Sequence, residues 1–177
     1  MNLPASWGLK CGEKELAFPC DEVPFDRDGV YFRGITIHAE SGLVFQWLLQ
    51  LRRAPYSYDW INNLGRQSPR KLVNINPVSH GQTMMYIFNV VGFEKNRSLT
   101  LRVKQPSFWH FLFGDILLSY LILIEETGNV RLLVKICRRF NRNLLGRFMK
   151  HFLPWANLIM HRKQLLLFKS LCERQVG

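Results

Sequence analysis

Residues 144–174 read LLGRFMKHFLPWANLIMHRKQLLLFKSLCER, and this stretch decides how the rest of the chain folds. Apolar side chains recur in it at helical spacing, which predicts one long helix. The apolar stripe of this helix consists of Met149, Leu153, Ala156, Met160, Leu167 and Leu171. The side roughly opposite the stripe carries His151, Arg162 and Lys169. Because the flanks of the stripe are apolar as well, the helix needs more than one surface to cover it.

Pro154 has no backbone N–H, so it either begins this helix in its first turn or kinks it. We interpret the helix as a core element that a β-sheet grips. A helix that docks on a membrane surface or on a partner is the alternative.

The length of 177 residues predicts one domain, which can bury about 70% of the surface that its unfolded chain exposes. Apolar residues make up 47% and charged residues 21%, as in an ordinary globular protein. Residues 1–29 hold six acids against three bases and three prolines, and we expect an irregular segment that packs on the domain. Residues 30–177 are predicted to form the single domain.

The net charge of +11 is concentrated toward the C-terminus, where residues 131–177 hold eleven bases against one acid. Such a basic third suits an anionic partner: a phospholipid surface, a nucleic acid or an acidic protein. A solvated basic face is the alternative. No DNA- or RNA-binding signature occurs, so we expect no nucleic acid, and an anionic membrane surface stays a candidate partner.

The four cysteines have no CxxC spacing and no metal-ligand spacing with the five histidines. We therefore expect no metal site and a reducing compartment, although Cys11 and Cys20 are near enough to pair if the site were oxidising. No signal-peptide pattern occurs, and Asp115 interrupts the most apolar window, residues 108–124. These features predict a cytoplasmic protein. If the terminal helix docks on a membrane surface, the protein is instead expected to lie peripherally at that membrane. No phosphate-binding glycine loop occurs, and we expect no cofactor.

The order of elements predicts an α+β fold. Two short helices, near residues 44–51 and 57–65, follow a first strand, and an antiparallel meander leads into the terminal helix. The predicted strands are residues 30–38, 84–93, 97–104, 108–113, 116–124 and 130–140. A curved antiparallel sheet has one apolar face, and the long helix has the matching stripe to cover it.

Two sequence segments carry a family resemblance. Trp47-Leu48-Leu49-Gln50-Leu51 and the following Tyr56-Ser57-Tyr58-Asp59-Trp60-Ile61-Asn62-Asn63 resemble the W-x-W-L-x-Q…Y-S-Y-D-W-[IL]-[DE]-N signature. Phe45 occupies the position at which the signature commonly has its first Trp, and Asn62 occupies the position at which it usually has an acidic residue. The signature belongs to an uncharacterised bacterial branch of the START/Bet v 1-like superfamily, also called SRPBCC or polyketide cyclase-like. The resemblance spans nearly the whole chain.

The resemblance implies a helix-grip fold, in which a curved antiparallel sheet wraps a long C-terminal helix. It also implies an apolar pocket for a lipid-like or aromatic small molecule between the sheet and that helix. It names neither ligand nor reaction, because the superfamily contains carriers, cyclases, hydrolases and proteins without known activity.

The candidate ligand-binding residues fall into a polar cluster and an apolar wall. The polar cluster, at the expected pocket mouth, consists of Tyr56, Tyr58 and Asn62 together with Asp59. The expected wall consists of Tyr86, Phe88, Trp109, Tyr120, Trp155, Ile159 and Met160, and a fully packed core is the alternative. Asp59 and His110 are weak catalytic candidates, since desolvation can turn a carboxyl into a general base. In the alternative interpretation Asp59 caps a turn and His110 is a hydrogen-bonded core residue.

Three functions follow from these patterns. The favoured one is non-catalytic binding of an apolar or lipid-like small molecule in the pocket. The second is a cyclase or dehydratase that uses the same pocket. The third is a protein without catalysis that docks on a membrane or partner through its basic C-terminal third.

Overall fold

The computed structural model describes residues 3–54, 56, 70–73, 77–142 and 144–175. The strands are β1 (Ser6–Trp7), β2 (Gly29–Ile37), β3 (Thr83–Met84), β4 (Phe88–Glu94), β5 (Ser98–Val103), β6 (Asp115–Ile124) and β7 (Val130–Arg139). The α-helices are α1 (Ser41–Leu49), α2 (Phe108–Phe113) and α3 (Leu144–Glu173). A short 3-10 turn, Gln50–Arg52, continues α1, whereas the second short helix predicted near residues 57–65 lies outside the described residues.

The strands form one curved sheet in the order β1-β2-β7-β6-β5-β4-β3. All neighbouring strands are antiparallel except β1 and β2, which run parallel. The long helix α3 covers one face of the sheet, and this arrangement confirms the predicted α+β helix-grip fold.

The prediction of a strand at residues 108–113 was wrong, because this segment forms helix α2. Its N-terminus is capped by Ser107, whose Oγ accepts a hydrogen bond from the backbone N–H of His110 at 3.1 Å. Its C-terminus is followed by Gly114 at φ +74°, where an added Cβ would lie 2.2 Å from the carbonyl oxygen of Arg139. The run of aromatic residues favoured a strand, but these two flanking residues define a short helix.

The main core lies between the sheet and the helices α1 and α3; we call this side of the sheet the helix face. The residues that α3 contributes to this core are Leu165, Phe168, Leu171 and Cys172. Leu165, Phe168 and Cys172 were predicted to flank the stripe, whereas Met149, Ala156 and Met160 of the stripe are only partly buried. The covered side of α3 is therefore rotated from the predicted stripe, of which Leu153 and Leu171 are buried, because a helix that is apolar on all sides does not reveal from its sequence which side is covered.

Lys169 does not lie on a free side of α3, as its position opposite the predicted stripe suggested. Its Nζ donates a hydrogen bond to the carbonyl oxygen of Thr36 at 2.8 Å and pairs with Glu173 at 2.8 Å. Glu173 in turn accepts a hydrogen bond from the backbone N–H of His38 at 2.9 Å. These contacts attach the C-terminal end of α3 to the C-terminal end of β2.

The opposite side of the sheet, the outer face, is covered by the N-terminal segment. Phe18 and Cys20 are buried against Leu133 and Cys137 of β7. Two ion pairs add to this contact: Glu13 binds Arg131 with an Oε1–Nε distance of 2.6 Å, and Asp21 binds Lys135 at 2.6 Å. All four cysteines are free thiols, and Cys20 neighbours Cys137 rather than Cys11.

Candidate ligand-binding site

Strand alternation places two arginines on the helix face. Side chains two residues apart point to the same side of a strand, and Tyr31 and Ile35 of β2 belong to the main core. Arg33 lies between them on the same side. In β7 the inward positions run through Val134 and Ile136, so Arg138 also points toward α3.

Both guanidinium groups are buried, and each has N–H donors that make no hydrogen bond to the described residues. Arg33 is 0% exposed and Arg138 is 3% exposed. The Nη1 of Arg33 donates to the carbonyl oxygens of Ala5 and Phe32 at 3.1 and 2.7 Å, but its Nε and Nη2 have no partner among the described residues. The Nε and Nη1 of Arg138 have none either, and this side chain lies over the Phe140 ring at 5.7 Å.

Helix α3 brings Asn157 and His161 to the same place. The contacts of Lys169 and Glu173 fix the C-terminal end of α3 beside residues 36–38 of β2. A helix rises about 1.5 Å and a strand about 3.3 Å per residue, so Asn157 and His161 come to lie over the Tyr31 and Arg33 end of β2. His161 Nδ1 contacts the carbonyl oxygen of Asn157 at 3.0 Å, whereas the buried Nδ2 of Asn157 has no partner.

The charges in this cluster have one sign. Burial lowers the pKa of Arg33 and of Arg138 to about 10, so both remain protonated at pH 7. Burial also lowers the pKa of His161 to about 4; the Asn157 carbonyl opposes this shift, and the two arginine charges add to it. Burial raises the pKa of Tyr31, so its phenol is neutral. Among the described residues no carboxylate pairs with either guanidinium, and two buried cations therefore stay uncompensated.

Three of the predicted wall and mouth residues lie in the main core. Phe88 is buried, and Tyr120 is fully buried with its O–H donating to Gln164 Oε1 at 2.8 Å. Tyr56 is fully buried, and its ring packs on Trp47 and Phe168 at centroid distances of 5.9 and 5.5 Å. These aromatic residues lie between the sheet and the helices.

The other predicted wall residues lie elsewhere. Trp155 and Ile159 point away from the sheet and are 50% and 51% exposed, and Met160 is only partly buried. Trp109 lies on α2, 41% exposed, and Tyr86 is 55% exposed with its O–H bonded to the carbonyl oxygen of Arg53. Since α3 carries apolar residues on both its covered and its open side, its sequence does not show which of them face the sheet.

The two catalytic candidates lie on other parts of the chain than Arg33 and Arg138. His110 lies half-buried on α2, and Asp59 lies outside the described residues, as do Tyr58 and Asn62. Within the described residues no group of histidine, cysteine and carboxylate side chains suits a metal ion. In the same part of the chain, no helix is long and apolar enough to cross a membrane.

The residues that sequence reasoning missed are Arg33, Arg138, Asn157 and His161. A signal was available for the two arginines. The alternation that places Val134 and Ile136 inside also places Arg138 inside, and that of β2 does the same for Arg33. A charged residue at an inward strand position is rare enough to indicate a site.

The sequence matches no family model and no curated protein. Solved structures nevertheless share its fold. The hypothetical protein jhp0584 from Helicobacter pylori has a TM-score of 0.58 at 13% identity, over 89% of this chain and 95% of that one. A protein from Arthrobacter aurescens has a TM-score of 0.51 at 9% identity, over 86% and 92% of the two chains. The di-domain ARO/CYC StfQ from the steffimycin biosynthetic pathway has a TM-score of 0.50 at 10% identity, over 84% of this chain and 51% of its own. These likenesses confirm the helix-grip fold that the sequence predicted.

Proposed function

We propose that the protein binds an apolar, lipid-like small molecule between the sheet and α3, without catalysing a reaction on it. The observation that carries this proposal is the set of buried polar atoms beneath α3 that have no partner, on Arg33, Arg138 and Asn157. A buried donor without an acceptor destabilises a protein by about 1–3 kcal/mol, and more when it is charged. Such a cost is typical of a binding site, where function outweighs stability.

The packing of α3 supports the same location. The residues by which α3 enters the main core lie between Leu165 and Cys172, in the C-terminal part of the helix. Toward its N-terminal half, Leu153 and Leu158 are buried, and the partly buried polar residues Asn157 and His161 lie beside them, so polar groups join the apolar packing. A ligand with an apolar body and a polar end fits this change in character.

The fold is compatible with this function and does not decide it. StfQ is an ARO/CYC of a biosynthetic pathway, whereas other neighbours carry no stated activity. We keep catalysis out of the proposal because His110 lies on α2, apart from the arginine cluster, and Asp59 lies outside the described residues.

The test uses the apolar fluorescent probe N-phenyl-1-naphthylamine. It should bind the native protein at about one site and raise its Tm, as a ligand selective for the folded state does. Asn157→Trp places a much larger side chain at the proposed site beneath α3 and should abolish this binding. The matched control is Ile159→Trp, on the open side of the same helix, which should bind as the wild type does. Probe binding that survives Asn157→Trp would contradict the proposed location.

A second proposed function, docking on an anionic membrane surface, is favoured by the open side of α3. We name this side the exposed apolar stripe of α3, as distinct from the predicted stripe; its residues are Leu144 (82% exposed), Phe148 (66%), Phe152 (58%), Trp155 (50%) and Ile159 (51%). Exposed basic residues flank it, among them Arg147, Lys150 and Arg162. An apolar stripe with basic flanks is the pattern of a helix that lies in the membrane interface, where each basic residue contributes about 1 kcal/mol on anionic lipid.

Sedimentation with vesicles tests this docking. The protein should pellet with anionic phosphatidylserine vesicles, less at high ionic strength, and not with neutral phosphatidylcholine vesicles. Phe148→Asp should reduce the pelleted fraction. The control, Ile124→Asp, changes an equally exposed residue (71%) at the end of β6 and should have no effect. Equal pelleting of both variants with the wild type would remove the exposed apolar stripe from the interaction.

A further inference from the structure

Two other arginines, the buried Arg131 and the partly buried Arg102, show how this protein uses a guanidinium group. Arg131 binds Glu13 through Nε and Nη2, at 2.6 and 2.9 Å. Arg102 binds Asp115 through the same two atoms, at 3.3 and 2.6 Å. Nε and Nη2 form one edge of the guanidinium plane, which matches the two oxygens of a carboxylate or a phosphate.

Arg33 presents the same edge without a carboxylate. Its Nε and Nη2 are the two buried donors that have no partner, while Nη1 is held by the carbonyl oxygens of Ala5 and Phe32. The main-chain contacts of Nη1 hold the guanidinium in place. The donor edge of Arg33 is therefore fixed and oriented before any ligand arrives, and this lowers the entropy that binding loses.

Arg138 adds a second set of donors on the neighbouring strand. In the β2–β7 register, Arg33 lies opposite Val134 and Arg138 lies opposite Gly29, with the Tyr31–Ile136 pair between them. Both arginines lie on the helix face of the sheet, on either side of the buried Tyr31–Ile136 pair. Asn157 supplies a further unpartnered N–H from α3.

We infer that Arg33, Arg138 and Asn157 form an oxyanion-binding site beneath α3 that holds the carboxylate or phosphate head of an amphipathic ligand. This inference rests on the proposed function and names the class of ligand. The apolar body of the ligand would extend from the head toward the core aromatic residues. Asn157 and His161 are partly buried, whereas Arg33 and Arg138 are almost fully buried.

The test compares cis-parinaric acid with its methyl ester, which has the same apolar tail without the charge. The acid should bind the wild type at least tenfold more tightly than the ester. Arg138→Met should reduce this preference, because it weakens the binding of the acid. Arg97→Met removes one positive charge at an exposed site (64% side-chain exposure) and should keep the preference.

The Tm of the Arg138→Met variant distinguishes a ligand-binding role of Arg138 from a structural role. In the described residues the Arg138 side chain has no hydrogen bond, so Arg138→Met removes an uncompensated buried cation. Its Tm without ligand should equal or exceed that of the wild type. A large fall in Tm would indicate that Arg138 supports the fold, and would count against the inference.

The remaining outcomes are distinct. Equal affinities of the wild type for acid and ester would overturn the inference and leave the proposed function standing. Binding of neither probe would overturn the proposed function as well. If inorganic phosphate at the same concentration raised the Tm as much as the acid does, the site would take free anions, and the assignment to an amphiphile would be wrong.

Discussion

The side-chain environment of a buried arginine differs from one position to another in this protein. Arg131 and Arg102 each face a carboxylate, whereas Arg33 and Arg138 do not. The Arg131 pair is the more deeply buried, with side-chain exposures of 6% for Arg131 and 10% for Glu13. Removing one partner of such a pair leaves the other charge buried without a counter-ion. Of the ion pairs described above, we therefore expect this one to affect stability most.

Glu13→Gln should therefore lower the free energy of unfolding by about 3 kcal/mol at pH 7. Burial alone would raise the pKa of Glu13, but the hydrogen bonds from Arg131 and from the Lys10 backbone lower it below its usual 4.5. The stabilisation is thus present above pH 4.5 and is lost as the pH falls through the lower folded-state pKa. Urea titrations of the wild type and Glu13→Gln should accordingly differ at pH 7 and converge in acid.

The control for this prediction is Glu94→Gln. Glu94 pairs with Arg97 on the surface, where the side chains are 58% and 64% exposed. Exposed pairs contribute about 0–1 kcal/mol, so this variant should unfold almost as the wild type does. A Glu13→Gln variant as stable as Glu94→Gln would mean that the N-terminal segment is not held on the outer face by this pair.

At the scale of the element, α3 divides into a part that supports the fold and a part that faces solvent. Phe168 is fully buried between the sheet and α1, and Phe152, four turns earlier on the same helix, is 58% exposed. Phe168→Ala should lower the free energy of unfolding by about 3–5 kcal/mol because it opens a cavity in the core. Phe152→Ala should change it by about 0.5 kcal/mol or less. Thermal melts of the two variants measure this difference, and similar losses would contradict the assigned orientation of the helix.

The elements themselves were largely predictable from the sequence, and their faces were less so. The strands β5 and β7 follow from clean alternation, and α3 follows from its length and apolar spacing. The covered side of α3 could not be predicted. Phe152 and Phe168 are both phenylalanines in an apolar helix, and they differ only in which residues pack against them. Helix α2 is a second example. Its flanking residues Ser107 and Gly114 define a helix, although the aromatic residues between them favour a strand.

At the scale of the whole molecule, the candidate site depends on contacts between distant parts of the chain. Arg33 and Arg138 are about a hundred residues apart and meet only because β2 pairs with β7. Asn157 joins them because Lys169 and Glu173 fix the far end of α3. A single sequence reports local periodicity but not these pairings, so the fold could be predicted whereas the arginine cluster could not.

The two outermost strands of the sheet, β1 and β3, are only two residues long. This has a consequence for self-association. A long strand at an edge offers unpaired backbone groups on which a second molecule can add its own strand, and very short edge strands prevent such pairing. β1 covers part of the nine-residue strand β2, and the carbonyl oxygen of Ala5 accepts the N–H of Phe32 at 2.8 Å.

Removal of residues 1–8 would uncover β2, and sedimentation velocity should then show larger species as the concentration rises. Removal of residues 1–4 keeps β1 and should leave the sedimentation profile of the full chain unchanged. If the longer truncation also sedimented as the full chain does, β1 would not be what keeps the copies of this protein apart.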